Sequence, residues 1–139
     1  MIEYKNELHT EDYLMLRKAV QWADMKFAQA EKGLRGSQYI ISAKDGDRTV
    51  GCARVIGDGG YMTLICDVMV HPEYQGQGIG RGMLERIMAY LESTIEDGEI
   101  LMTNLMATKG KEGFYKKFGM RVRPNEQEGP GLVRWFGKE

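Results

Sequence analysis

The sequence predicts an α/β fold: a single domain built on a mixed, mostly antiparallel sheet flanked by helices. Three observations carry that expectation. Short Gly-rich turns separate three β-branched and aromatic runs between Gln38 and Val70, the mark of antiparallel hairpins. At Ile79 the period changes, and apolar residues recur at helical spacing. Beyond that helix come a strand-like run, a short helical pattern and two more strand-like runs.

Size and composition agree with one domain, residues 1–139. A chain of 139 residues is long enough to bury a core without metal or disulfide staples. Hydrophobic residues make up 42% and charged residues 28%, a soluble balance. Lys plus Arg is 19 and Asp plus Glu is 20, for a net charge of −1. No global basic field is present to collect nucleic acid or an anionic membrane. No apolar run approaches the roughly 20 residues of a membrane span, and the polar, acidic start through Tyr13 is unlike a signal peptide. Cys52 and Cys66 sit in apolar strand-like runs, with no CxxC or Cys/His cluster, so no metal is expected. Read as buried free thiols, they suit a reducing, cytoplasmic setting.

The elements follow in order. Residues 2–6 read as a first strand. Thr10, followed by Glu11 and Asp12, reads as a helix cap with acids at the positive end of the dipole. Leu16, Val20, Ala23 and Phe27 carry helical spacing to about residue 31, with a break near Gln21–Asp24 and a stop at Gly33–Gly36. Gln38–Lys44, Arg48–Ile56 and Tyr61–Val70 are strands, and Pro72, which cannot donate to a ladder, ends the third. Ile79, Met83, Leu84, Ile87, Met88 and Leu91 form one apolar helical face. Glu99–Leu105 is strand-like. Lys111–Phe118 is a short helix, with Gly119 as its left-handed terminator. Two last strands, Met120–Arg123 and Leu132–Phe136, flank the loop Pro124–Gly131.

The chemistry concentrates between the third strand and the long helix. Glycines alternate at positions 76, 78, 80 and 82. A nucleotide loop of the GxxxxGK[ST] type is excluded, because no Lys-Ser or Lys-Thr pair follows them. The dinucleotide pattern GxGxxG also fails: its last glycine would fall on Arg81 or Met83. Gln75, Gly78 and Gly80 remain, in the spacing Gln-x-x-Gly-x-Gly. Glycine permits positive φ and close approach of backbone to ligand. Successive N–H groups and a helix start then favour an anion, with Arg81 placed to add charge. Spacing alone leaves a second reading, a solvent-facing turn whose glycines serve only packing.

Val70-His71-Pro72-Glu73-Tyr74-Gln75-Gly76-Gln77-Gly78-Ile79-Gly80 resembles the acetyl-CoA signature of the GNAT superfamily of N-acetyltransferases. A second match, Gly113-Phe114-Tyr115-Lys116-Lys117-Phe118-Gly119-Met120, looks like that family's Phe-Tyr-x-Lys-x-Gly-Phe segment, with Met120 where Phe is usual. The resemblance implies a GNAT-like fold, with acetyl-CoA as co-substrate. It implies that backbone amides from Gln75 through Arg81, including Gly76, Gln77, Gly78, Ile79 and Gly80, hold the CoA pyrophosphate. It also implies that Val68, Met69 and Val70 pair with the pantetheine arm and polarise the thioester. Phe114 and Tyr115 are brought to the cofactor, Tyr115 near the sulfur. Many members carry Asn seven residues before that tyrosine. Thr108 stands there in this chain, and Asn104 is the nearby substitute.

The expected reaction is acetyl transfer to a primary amine by direct attack on the thioester. Proximity supplies much of the gain, and an N–H from Met69 or a neighbour stabilises the oxyanion. Tyr115 is the candidate acid, although moving a proton from Tyr (pKa ~10) to a thiolate (~8.5) is uphill in water. Asp67, just ahead of the loop, is the sequence-placed candidate base. It is equally suited to capping a backbone group or pairing with an arginine. Trp22, Met25, Trp135 and Phe136 are candidate walls for an acceptor, expected to be a small molecule rather than a protein. Dimers are common among the family's members, and the last strand is a candidate homodimer interface. A non-catalytic acyl-CoA sensor or scaffold on the same fold is the competing reading.

Overall fold

The computed structural model describes residues 1–138. The chain divides into two units, Met1–Met106 and a segment starting at Ala107.

The first unit holds a five-stranded sheet in the order β1-β2-β3-β4-β5. Its strands are β1 (Ile2–Lys5), β2 (Tyr39–Asp45), β3 (Arg48–Gly57), β4 (Met62–Val70) and β5 (Met102–Leu105). The first four pair antiparallel. Only β4 and β5 run parallel, because the helix α3 (Ile79–Ser93) makes the crossover between them. Helices α1 (Thr10–Ala19) and α2 (Phe27–Arg35) lie between β1 and β2 in sequence.

Alternation along β3 sorts its side chains onto two faces. Cys52 joins Met69 in a cluster with Tyr13 and Leu16 of α1 and with Ala30 and Leu34 of α2. Gly51, one residue earlier, faces α3. A Cβ there would lie 3.3 Å from both Ile79 Cγ2 and Met83 Cε, and 3.1 Å from the Met69 carbonyl oxygen. The missing side chain therefore lets the first turn of α3 settle directly on the sheet. A similar approach occurs at Gly82, where Tyr4 of β1 occupies the space a Cβ would need.

The expected break in the N-terminal helical pattern is a full helix end. Gln21 takes φ 64, Trp22 N–H bonds the Arg17 carbonyl at 2.9 Å and Gln21 N–H bonds that of Lys18 at 3.0 Å. This is the paired-bond termination usually built on glycine. Thr10 is not the cap. His9 holds that position in extended backbone and makes no side-chain capping bond, while Thr10 is already helical.

The two C-terminal strands are a correction. Neither Met120–Arg123 nor Leu132–Phe136 joins a ladder, and the sheet ends at β5. For Met120–Arg123 the reason is visible in the second unit itself, whereas Leu132–Phe136 finds no partner strand among the described residues. A turn at Asn125 accepts the N–H groups of Gln127 and Glu128, both at 3.0 Å. Arg121 pairs with Glu128 at 3.2 Å, and Arg123 Nε bonds the Gly129 carbonyl at 2.7 Å. These side-chain bonds organise the segment as a loop. Among the described residues the unit's one helix is α4 (Glu112–Lys116), ending toward Gly119 at φ 82. Among the described residues no helix is long and apolar enough to cross a membrane.

Candidate functional site

Strand β4 changes character half-way. Thr63 to Ile65 are paired on both edges, with β3 and with β5. From Cys66 to Val70 only β3 is alongside, because the parallel ladder stops at Ile65 and Leu105. The changeover carries a β-bulge. Cys52 pairs with Met69 and Arg54 with Cys66, so Ala53 alone spans Asp67 and Val68. Asp67 sits in left-handed backbone, φ 55, a region few residues other than glycine enter.

Beyond the bulge the open edge carries free backbone. His71 N–H bonds the Val50 carbonyl at 2.8 Å. Alternation then turns Met69 toward β3 and Val70 away from it. The Val70 carbonyl confirms that direction, since it accepts from Gln75 Nε2 at 3.0 Å. Of the residues expected to meet the thioester, Val70 thus offers its N–H to the open side. Met69 points its N–H into the sheet and buries its side chain.

The glycine loop starts from that same open edge. A 3-10 turn, Pro72–Tyr74, is capped by His71, whose Nδ1 accepts Glu73 N–H at 3.1 Å. His71 is therefore a turn-former. Gly76 and Gly78 take φ 80 and 82, and a Cβ at either would meet no atom within 4 Å. Both face open space with bare backbone. Gly78 is the residue from which α3 starts, and Gly82 N–H to the Gly78 carbonyl (3.0 Å) is the first bond of that helix. The N–H groups of Ile79, Gly80 and Arg81 precede it without backbone partners. Unpaired donors, the dipole of a 15-residue helix and open space together make an anion cradle. Arg81 turns along the helix to pair with Glu85 at 2.8 Å, its side chain 76% exposed.

Asp67 lies on the opposite side of the bulge. Its Oδ2 accepts from Arg54 Nε at 2.6 Å and from the Tyr13 hydroxyl at 2.8 Å. Arg54 also donates through Nη1 to the Gly33 carbonyl at 3.2 Å and to Ser37 Oγ at 3.1 Å. Burial, and next the Asp67 charge, push the Tyr13 phenol up to about 12, so it stays a donor at neutral pH. Burial likewise lifts the Cys66 thiol to about 11 and the Cys52 thiol higher still. Neither supplies a thiolate near pH 7.

The remaining site residues sit elsewhere. Asn104 on β5 stands opposite Leu64, in the fully paired half of β4, with its amide against Met62 Sδ at 3.8 Å. Phe114 and Tyr115 belong to α4 in the second unit. Phe114 packs edge-on against Tyr115 at 5.0 Å and Phe118 at 5.4 Å between ring centres. Burial raises the Tyr115 pKa above its ordinary value. Trp22 and Met25 pack against the core cluster of the first unit, whereas Trp135 and Phe136 are 89% and 80% exposed. Sequence reasoning passed over Tyr13 and Arg54. A charged Arg54 inside the run from Val50 to Val55 was the available signal.

Comparison with known proteins gives one family. Residues 36–121 match the acetyltransferase (GNAT) domain. The chain is 31% identical over 115 residues to the uncharacterized N-acetyltransferase ycf52 of Pyropia yezoensis, covering 80% of this chain and 64% of that protein. It is thus matched to slightly less than two thirds of that relative's length. It is 32% identical over 136 residues to the histone acetyltransferase TAP1 of Glycine max, covering 90% of this chain and 56% of that one. The crystal structure of a Staphylococcus aureus protein of unknown function, described as a "Probable Acetyltransferase", superposes with a TM-score of 0.85 at 30% identity, over 97% of this chain and 100% of the other. With its glycine turn, crossover helix and matched domain all coinciding, this chain belongs to the GNAT acetyltransferases.

Proposed function

We propose that the chain transfers an acetyl group from acetyl-CoA to a primary amine by direct attack on the thioester. One observation carries the reading: the open half of β4 and the anion cradle of α3 are joined through the Gln75–Val70 bond. A ligand with a diphosphate at one end and an extended amide-bearing arm at the other fits that pair. The cradle takes the diphosphate by backbone N–H groups. The arm runs as an added strand along the free edge of β4. Val70, and Val68 beside the bulge, would then present backbone polar groups to the amide arm and the thioester carbonyl. A fixed N–H aimed at the developing oxyanion lowers the barrier more than water can.

Tyr115 is the proposed donor to the departing sulfur. Burial raises its pKa, which makes the transfer to sulfur more uphill, so the role rests on positioning. That role comes from the resemblance of the Phe114-Tyr115 segment, and it predicts a Tyr115→Phe turnover loss of about 100-fold.

For the acceptor we propose a small amine. A cleft of about 380 Å³ lies beside α1 and the segment that follows it, with Glu11 and Asp24 among apolar Leu14, Met15 and Met25. Arg17 and Lys18 also line it, so its charges balance, and the apolar residues are what suit the carbon skeleton of a small acceptor. The relative named a histone acetyltransferase makes a protein lysine the competing acceptor. A reducing compartment such as the cytoplasm suits the two free thiols.

The test is release of free CoA from acetyl-CoA across 2-phenylethylamine, spermidine and a lysine-containing peptide, with thermal shifts for CoA, ATP and NAD alongside. CoA-specific stabilisation with turnover on an amine is expected. Stabilisation by ATP or NAD alone would remove the reading. Tight CoA binding without turnover on any amine would favour a sensor or scaffold.

A further inference from the structure

We propose that Tyr13 and Arg54 are positioning residues: acting through Asp67, they hold the β4 bulge in the shape that directs its open edge at the thioester carbonyl. The inference rests on the acetyl-CoA reading above and adds to it a device behind the strand.

Asp67 holds left-handed backbone, φ 55, just past Ile65, where β4 leaves its second ladder. Such conformations persist only where surrounding structure over-determines them. Here the determinants reach Asp67 from two elements, and a third braces one of them. Tyr13 comes from α1, is 2% exposed, and donates its hydroxyl to Oδ2. Arg54 comes from β3 and donates Nε to the same oxygen. The far side of that guanidinium is fixed to the end of α2 by the Gly33 carbonyl and Ser37 Oγ, themselves bonded at 2.9 Å. Arg17 adds a long 3.5 Å contact to the Tyr13 hydroxyl.

The carboxylate therefore serves as the knot of a network, with its donors on the helix side of the sheet. Its own backbone is the first residue of the bulge. Rotating that residue out of left-handed space re-aims Val68 and, through it, the edge that ends at Val70. The helices α1 and α2 are thus tied to the geometry of the reacting carbonyl by three side chains that need never touch it. This assigns Asp67 to holding the strand, in place of taking the acceptor's proton.

Isotope-edited infrared spectra of [1-¹³C]acetyl-CoA bound to the full chain test this without knowledge of the acceptor. In the wild type the thioester carbonyl stretch is expected below its frequency in buffer. Tyr13→Phe and Arg54→Lys should lose most of that downshift, while calorimetry shows CoA, which lacks the acyl group, still bound within about threefold of wild type. Asp67→Asn, which keeps an acceptor oxygen for both donors, should retain part of it. A full wild-type downshift in Tyr13→Phe and Arg54→Lys overturns the inference. Should Arg54→Lys fail to fold by circular dichroism, Tyr13→Phe decides alone, since it removes a single hydroxyl. Parallel loss of CoA binding and downshift in a folded variant also overturns it, because the effect is then general loosening. A wild type that binds CoA yet leaves the carbonyl unshifted overturns the inference and spares CoA binding. A wild type that binds neither CoA nor acetyl-CoA overturns both readings.

Discussion

Within β4, Met62–Ile65 and Cys66–Val70 are consecutive, similar in composition and opposite in use. In the first half Thr63–Ile65 are laddered on both edges, with Thr63 and Ile65 buried. The second half has β3 on one side and no paired strand on the other, with a bulge at its root. The difference teaches that the strand's hydrophobicity does not decide where chemistry occurs. What decides is where one neighbour stops, because an unsatisfied edge of backbone is a binding surface.

The largest break in that comparison should come from the closed half. Ile65 is 1% exposed, and Ile65→Ala should cost about 2–5 kcal/mol, read as a lowered urea midpoint. The half-buried Val70, shortened to Ala, should cost about 1 kcal/mol. Equal losses would mean the two halves carry the core alike.

Next is the bulge. The Tyr13 pKa is raised from 10.0 to about 12 in the folded chain, so the stabilisation this implies is intact below pH 10 and lost as pH climbs through about 12. At roughly 1.4 kcal/mol per unit, this alkaline loss approaches roughly 2–3 kcal/mol. Tyr13→Phe should flatten that part of the stability profile, measured by denaturant melts at stepped pH. An unchanged slope would detach Tyr13 from the bulge.

Gly78→Val probes the open side. Its φ of 82 suits glycine, and a β-branched residue should cost about 1–3 kcal/mol there and weaken CoA by at least ~10-fold. Unaltered CoA affinity would sever the glycine turn from the open strand edge. The smallest effect belongs to Arg81→Ala. Its pair with Glu85 is exposed on both sides, so stability should move by under ~0.5 kcal/mol. Any accompanying change in CoA affinity by calorimetry would then report a contact with ligand.

Reading the residues alone recovers what local rules govern. The turn from Gln75 to Gly80 was legible because glycine spacing records where φ must be positive, and α3 because its apolar face repeats. The bulge was not legible. Asp67 is no glycine, and its conformation is imposed by Tyr13 and Arg54, which are 54 and 13 residues away along the chain. The break near Gln21 was legible, but its left-handed backbone was not, since that helix end is made without glycine. Leu132–Phe136 has the composition of a strand, but composition names no partner, and a strand exists only by pairing. Arg54 was visible as a charge in an apolar run, but its partner was not.

Gly51 gives the proposed donor site an address that ligand contacts alone would miss. The first turn of α3 rests on the sheet at Gly51, where β3 presents no side chain. An added methyl would act there as a shim, lifting Ile79, and the turn ahead of it, by a few tenths of an ångström. Affinity for the donor could therefore be dialled down from beneath, by a residue on the far side of the floor, with every surface group that greets the ligand left as it is.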